Sequence, residues 1–243
     1  FGERGLQGAY KEVEQLHLRN AFSPVKFNEL TEEERRKAIG SLIFLKEKED
    51  GEIKGRACAD GRKQRENIRK DETASPTVAL ESVILTAIIE AHENRDVSVL
   101  DIPNAFIQTD MEGEKVIMKL RGELAELLVT TAPELYCPFL HDENGKSVLY
   151  VELLKALYGT LKAALLFYKK LVKDLVSYGF ELNAYDRCVA NKIINGNQMT
   201  VIWHVDDLKF SHQDPNEVTK FIQWVKSKYE DANIGKVRKI GRA

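Results

Sequence analysis

Cysteine is scarce in this chain of 243 residues: Cys58, Cys137 and Cys188 stand far apart and form no Cys-x-x-Cys pair. That spacing argues against both a disulfide framework and a thiolate zinc site, and it suits a reducing intracellular setting, with the cytoplasm as the expected location. No apolar run approaches the roughly 20 residues needed to span a bilayer, so no membrane partner is expected. The chain also lacks an opening basic segment followed by an apolar one, so no targeting segment is visible. Neither sign of charge dominates. The formal net charge of −2 argues against wholesale coating of nucleic acid. Internal repeats and low-complexity tracts are absent. The chain opens on Phe1 and stops at Ala243 without a compact ending, so it reads as a piece of a longer product.

What is present is an ordinary core-forming composition, 43% hydrophobic and 30% charged, enough for one large or two small domains. The charge is unevenly placed. Between Lys54 and Lys70, the bases Lys54, Arg56, Arg62, Lys63, Arg65, Arg69 and Lys70 are set against only Asp60 and Glu66. Such a run is ordinarily a solvated loop, and it also suits a phosphate-bearing partner.

Periodicity predicts helices over residues 10–18 and 31–45, the second opened by a Thr31/Glu34 capping box. A third helix follows Pro76-Thr77, with Leu80, Val83, Ile84, Ala87, Ile88 and Ala91 on one apolar face that should pack on a sheet. Further helices are expected near Leu124 to Val129, from Leu161 to Tyr178 with a stop at Gly179, and after the Asp214-Pro215 N-cap. Strands are expected at Ile53 to Ala59, Val97 to Leu100, Lys115 to Leu120, Ser147 to Val151, Val189 to Ile194 and from Met199 onward. Asn195-Gly196 supplies the positive φ values of a tight hairpin. From Val97 onward the order suits a split βαβ, ferredoxin-like α+β layout, an antiparallel sheet backed by helices on one face.

The most telling stretch is Trp203-His204-Val205-Asp206-Asp207-Leu208, where two adjacent carboxylates interrupt two apolar strand segments. Neighbouring strand side chains point to opposite faces, so Asp206 and Asp207 share one ion only if the backbone turns there. Asp101 closes another expected strand, and the layout can bring all three acids into one pocket. Three carboxylates repel one another, and a hard divalent cation is the simplest way to stabilise them. Mg²⁺ fits, because it takes oxygen ligands and leaves positions for water and phosphate. An acidic doublet alone is more often a solvated turn; the apolar hairpin, the distant Asp101 and the basic segment shift the balance toward phosphoryl chemistry. Alternation sets His204 on the face with Ile202, where a hydrogen-bonded strand histidine is the expectation.

With these residues in hand, the chain resembles the reverse transcriptase domain of copia-type (Pseudoviridae-like) retrotransposon polyproteins. The fingers motif KARLVARGxxQ is similar to Lys54-Gly55-Arg56-Ala57-Cys58-Ala59-Asp60-Gly61-Arg62-Lys63-Gln64, and SPV to Ser75-Pro76-Thr77. DVxxAFL resembles Asp101-Ile102-Pro103-Asn104-Ala105-Phe106-Ile107. LYGLKQAPRAWY resembles Leu157-Tyr158-Gly159-Thr160-Leu161-Lys162-Ala163-Ala164-Leu165-Leu166-Phe167-Tyr168, followed by Gly179-Phe180 and Asp186. YVDD resembles His204-Val205-Asp206-Asp207, with His204 where tyrosine is usual. The matches keep their order across roughly residues 40–215.

The resemblance implies an RNA-directed DNA polymerase with fingers and palm and no thumb. Its segments would be an N-terminal helical extension (1–45), a basic fingers-like region (46–95) and a palm-like catalytic region (96–243). Asp101, Asp206 and Asp207 would hold two Mg²⁺ ions, or Mn²⁺ in their place. Lys54 and Arg56 would lie near the incoming triphosphate. Phe106 would be the aromatic gate that excludes a ribose 2′-hydroxyl, a role weighed evenly against a core phenylalanine. The implied partners are an RNA or DNA template with its primer, dNTPs, and integrase and RNase H segments of the same polyprotein within a virus-like particle. Two other readings stand beside this one: a non-catalytic nucleic-acid-binding relic, and a metal-dependent phosphohydrolase using His204, Asp206 and Asp207 with a second histidine such as His212.

Overall fold

The computed structural model describes residues 1–66, 73–229 and 238–239, so Arg69 and Lys70 of the basic run lie outside the described residues. In chain order the elements are α1 (Gly2–Leu18), β1 (Phe22–Val25), α2 (Glu32–Lys37), β2 (Ile39–Glu47), β3 (Ile53–Asp60), α3 (Leu80–His92), β4 (Asp96–Asp101), β5 (Ile117–Arg121), α4 (Glu123–Thr131) and α5 (Pro133–Tyr136). They continue as β6 (His141–Asp142), β7 (Ser147–Leu153), α6 (Ala163–Ser177), β8 (Glu181–Leu182), β9 (Val189–Ile194), β10 (Asn197–His204), β11 (Asp207–His212), α7 (Pro215–Lys228) and β12 (Arg238–Lys239). The α+β character is as expected. Two compact units form, one from Phe1–Thr73 with Thr109–Leu166 and one from Ala74–Gln108 with Phe167–Ala243. The linear segments 1–45, 46–95 and 96–243 cut across these units, because long-range strand pairing draws on separated stretches of chain.

The first unit is built on a sheet ordered β1-β7-β5-β2-β3, with β6 on β7. Here β2 and β5 run parallel and the other neighbours antiparallel. The strands at Lys115 to Leu120 and Ser147 to Val151, grouped by sequence with Val97 to Leu100, instead pair in this sheet. The expected helix over 31–45 is also corrected. Its capping box is present, with Thr31 Oγ1 accepting from the Glu34 amide at 3.2 Å and Glu34 Oε2 accepting from the Thr31 amide at 2.8 Å. The helix nevertheless ends at Lys37. From Ile39 the alternation of apolar and polar side chains, with β-branched Ile39 and Ile43, favours a strand, and β2 alternates in burial accordingly.

The second unit holds an antiparallel sheet ordered β12-β4-β11-β10-β9-β8. One face carries Leu100, Leu208, Phe210, Val201 and Trp203, none more than 2% exposed. Helices α6 and α7 cover it: Tyr168 meets Trp203 at 6.3 Å between ring centroids, and Phe221 meets Phe210 edge-on at 4.8 Å. The start of α7 follows its sequence signal, Asp214 Oδ1 accepting from the Asn216 amide at 2.9 Å with Pro215 in the first turn. Asn195 and Gly196 both take positive φ, 52° and 81°, as a type I′ hairpin requires.

Helix α3 departs from its expected orientation. Leu80, Ile84 and Ile88 are 70%, 53% and 61% exposed, while Thr86 and Glu90 are buried. The buried polar groups are satisfied. Glu90 Oε2 pairs with Lys209 Nζ at 2.5 Å, and the Thr86 hydroxyl donates to the Val83 carbonyl at 3.0 Å. Since Lys209 projects from the face opposite Phe210, α3 lies on the second face of the sheet. Helices therefore occupy both faces rather than one. Asp186 secures the entry to α3, accepting from the Ala79 amide at 2.9 Å and from the Cys188 amide at 2.9 Å. Burial pushes its carboxyl up, but hydrogen bonds from Ser82, Ala79 and Cys188 outweigh burial and hold it below the usual range.

Candidate active site

Strand β4 ends at Asp101 and β11 begins at Asp207, and the antiparallel register sets these two residues directly opposite each other. The Ile102 amide donates to the Asp206 carbonyl at 3.0 Å. That bond makes Asp101 and Asp207 a non-hydrogen-bonded pair, the kind whose Cα atoms approach to about 4.5 Å and whose side chains stand closest. Residues more than a hundred positions apart are thus juxtaposed by register alone.

The turn between β10 and β11 contains only Val205 and Asp206, closed by the pair His204 and Asp207. Of the two turn residues only Val205 has a positive φ, 59°. This is the type II′ pattern, whose first position favours glycine. A β-branched residue there is strained by about 1–3 kcal/mol, a cost met by the packing behind it. Trp203 and Leu208 are 1% exposed and Ile102 is fully buried.

Asp101, Asp207 and His204 are exposed, whereas Asp206 is half-buried at the tip of the turn. Cross-strand partners share a face, so His204, Asp207 and Asp101 form a row across three strands. All three line one cavity of about 410 Å³, whose apolar walls include Val78, Val99 and Ile202. Asp206 belongs to the hairpin but not to this lining. His204 departs from its expected role: its side chain points outward and, among the described residues, makes no hydrogen bond. The nearest cation on the strand, Lys209, is engaged by Glu90. Among the described residues Asp207 makes no ion pair.

Among the described residues no three His, Cys, Asp or Glu side chains are drawn together as a finished metal cage. The donor chemistry nonetheless fits a hard cation. Two facing carboxylates at a strand end, open to solvent, are what Mg²⁺ takes alongside water and phosphate oxygens. His212 does not supply the second histidine that phosphohydrolase chemistry requires. It pairs with Asp96 at the far end of β11 and is 1% exposed.

Phe106 follows in a short 3₁₀ turn, Ala105–Gln108, and is 8% exposed with its ring 6.3 Å from that of Phe167. In the first unit, Lys54 and Arg56 project from the same face of β3, both exposed, and neither makes an ion pair among the described residues. The Arg56 guanidinium lies 4.9 Å from the centroid of the Tyr158 ring. Sequence reading did not foresee why the two motifs of this unit go together. The Ala59 amide donates to the Tyr158 carbonyl at 2.7 Å, and the Leu161 amide donates to Gln64 Oε1 at 3.0 Å. Gly159, at φ 88°, presses so close to Ala59 that any Cβ would strike the Ala59 carbonyl. The glycines and the glutamine were the available signal; their partners were not.

A family model described as reverse transcriptase (RNA-dependent DNA polymerase) matches residues 26–241. The chain is similar to the truncated transposon Ty1-A Gag-Pol polyprotein of Saccharomyces cerevisiae (strain ATCC 204508 / S288c), 24% identical over 229 residues, covering 94% of this chain and 17% of that polyprotein. It is similar to the same degree to the transposon Ty1-DR5 Gag-Pol polyprotein of that yeast, again 24% identical over 94% of this chain but 12% of the relative. The chain thus spans less than a fifth of the length of these relatives. The resemblance to copia-type reverse transcriptase domains is borne out.

Proposed function

Because the chain belongs to the reverse transcriptase (RNA-dependent DNA polymerase) family, we propose that it is the fingers and palm portion of a copia-type retrotransposon polyprotein, adding deoxynucleotides to a primer 3′-hydroxyl. The palm role falls to the second unit and the fingers role to the sheet carrying β3. Asp101, Asp206 and Asp207 would hold the divalent ions. Divalent ions held there would supply Lewis-acid activation of a primer 3′-hydroxyl and neutralisation of charge on a pyrophosphate leaving group. The chain's own part is positional. Asp101 and Asp207 are held face to face by backbone pairing, and the Val205–Asp206 turn keeps Asp207 at the strand end. Lys54 and Arg56, exposed and partly offset by the charge of Glu12, would offer positive charge to a triphosphate. Phe106, buried against Phe167, would be the aromatic residue that excludes a ribose 2′-hydroxyl.

The observation that carries this reading is the direct opposition of Asp101 and Asp207 in a non-hydrogen-bonded pair. Template, primer and dNTP are the proposed partners, with integrase and RNase H segments elsewhere in the polyprotein, and the proposed setting is a cytoplasmic particle. Among the described residues no helix is long and apolar enough to cross a membrane. The test is Mg²⁺-dependent dNTP incorporation on a primer-template by the chain joined to its thumb. Asp207→Asn and Asp206→Asn should each lower the rate by about a hundredfold or more. Unchanged incorporation would rule out the mechanism, and tight primer-template binding without incorporation in the unsubstituted protein would favour a non-catalytic relic.

A further inference from the structure

Helix α3 is fixed with its polar side inward. Glu90 meets Lys209, the Thr86 hydroxyl is satisfied within the helix, and the strand face beneath carries Lys209, Ser211 and Thr200. Turning the helix over would set leucine and isoleucine on those polar groups and break the Glu90–Lys209 pair, so the apolar side stays outward. That side is wide. Leu80, Ile84, Leu85 and Ile88 are 70%, 53%, 58% and 61% exposed, and Ala87 and Ala91 beside them are exposed as well. Four large apolar side chains on one 13-residue helix form a contiguous patch, unlike the scattered single leucines ordinary on any surface.

The patch is complementary to its own copy. Leu80, Ile84 and Ile88 follow one another at four-residue steps and make a ridge, with Ala87 and Ala91 along one flank. Glu81 in the first turn and His92 in the last stand on the other flank. Among the described residues neither makes a hydrogen bond or ion pair, and the exposed residues of α3 between them are all uncharged. We propose that α3 is a self-association surface, on which a second copy of this chain packs its own α3 antiparallel about a two-fold axis. In such a pair the same flanks meet with their ends exchanged, so Glu81 faces the partner's His92 and the contact repeats at the other end. The alanine flanks also meet, and their small side chains let the helices approach closely. A parallel two-fold pair would instead lay Glu81 and His92 against the partner's alanine flank, leave both unpaired and align the helix dipoles. A seam of about 20 Å falls short of the roughly 800 Å² per partner of a standard interface, so the dimer is weak and depends on concentration.

Sedimentation equilibrium of the 243-residue chain across a wide range of concentration tests this. The unsubstituted chain should show a monomer–dimer equilibrium. Ile84→Glu and Ile88→Glu should each weaken the dimer by about tenfold or more, with thermal unfolding of the monomer unchanged because both side chains are exposed. Glu81→Lys and His92→Glu should each weaken it by about threefold or more, because each unpairs or opposes two contacts per dimer. Combining the two exchanges the charges across the seam and should restore most of the affinity. A chain that stays monomeric at every concentration overturns the proposal and leaves the patch to a different polypeptide. A dimer indifferent to Ile84→Glu and Ile88→Glu overturns it too, since association then uses another surface. Loss of the dimer in those variants with no rescue by the paired charge exchange overturns the antiparallel two-fold arrangement.

Discussion

In the first unit, Glu143 beside the β6–β7 turn is surrounded by donors: Lys119 Nζ at 2.5 Å, His141 Nε2 at 3.1 Å and the Tyr150 hydroxyl at 3.2 Å. In the second unit, Asp101 and Asp207 face each other at a strand end, and the nearby Lys209 is engaged by Glu90 instead. Burial pushes the Glu143 carboxyl up, yet the hydrogen bonds from Lys119 and His141, the charge of Lys119 and the Tyr150 hydroxyl outweigh it and hold the group at about 2. The contrast teaches how to tell a structural carboxylate from a functional one. Glu143 is neutralised by the chain's own donors, whereas Asp207, which makes no ion pair among the described residues, is left for a ligand to neutralise.

Removing charge in the two places should therefore have opposite effects. Glu143→Gln strips Lys119, 14% exposed, of its ionic partner. The loss should fall between that of an exposed and a buried pair, about 2 kcal/mol by denaturant unfolding. The same residue sets an acid dependence. Because folding holds its carboxyl at about 2, its stabilisation is whole above the ordinary glutamate value of 4.5 and drains away as pH falls from there toward 2. Glu143→Gln should flatten that part of the pH–stability curve. At the other site the sign reverses and the size shrinks. In the absence of divalent ions, Asp207→Asn should stabilise the chain by up to about 1 kcal/mol, since it relieves repulsion between directly opposed like charges. A destabilising Asp207→Asn under those conditions would erase the distinction between the two regions.

Much of the site was legible in the sequence because its signals are local. The strand ending at Asp101, the hairpin at Asn195-Gly196, the apolar segments flanking Asp206-Asp207 and the Asp214-Pro215 cap each depend on a few adjacent residues, and each formed as read. What failed depends on partners distant in sequence. The stripe of α3 was identified correctly as apolar, but periodicity cannot say which side meets a sheet. Burial of Glu90 was decided by Lys209, more than a hundred residues away. Strands β5 and β7 were recognised as strands yet assigned to the wrong sheet, since strand pairing is not written in either strand alone. His204 was placed on the correct face with Ile202, but its exposure follows from the position of the hairpin at the strand end, which alternation does not reveal.

The central claim is that Asp101 and Asp207 share one cation. Mn²⁺ binding followed by electron paramagnetic resonance in the unsubstituted chain, Asp101→Asn, Asp207→Asn and the double variant tests it most directly. A shared ion predicts that either substitution alone releases it and that the second adds little, the non-additivity of groups acting as one unit. Mn²⁺ retained in both single variants, or losses that simply add, would show that the two carboxylates bind nothing in common.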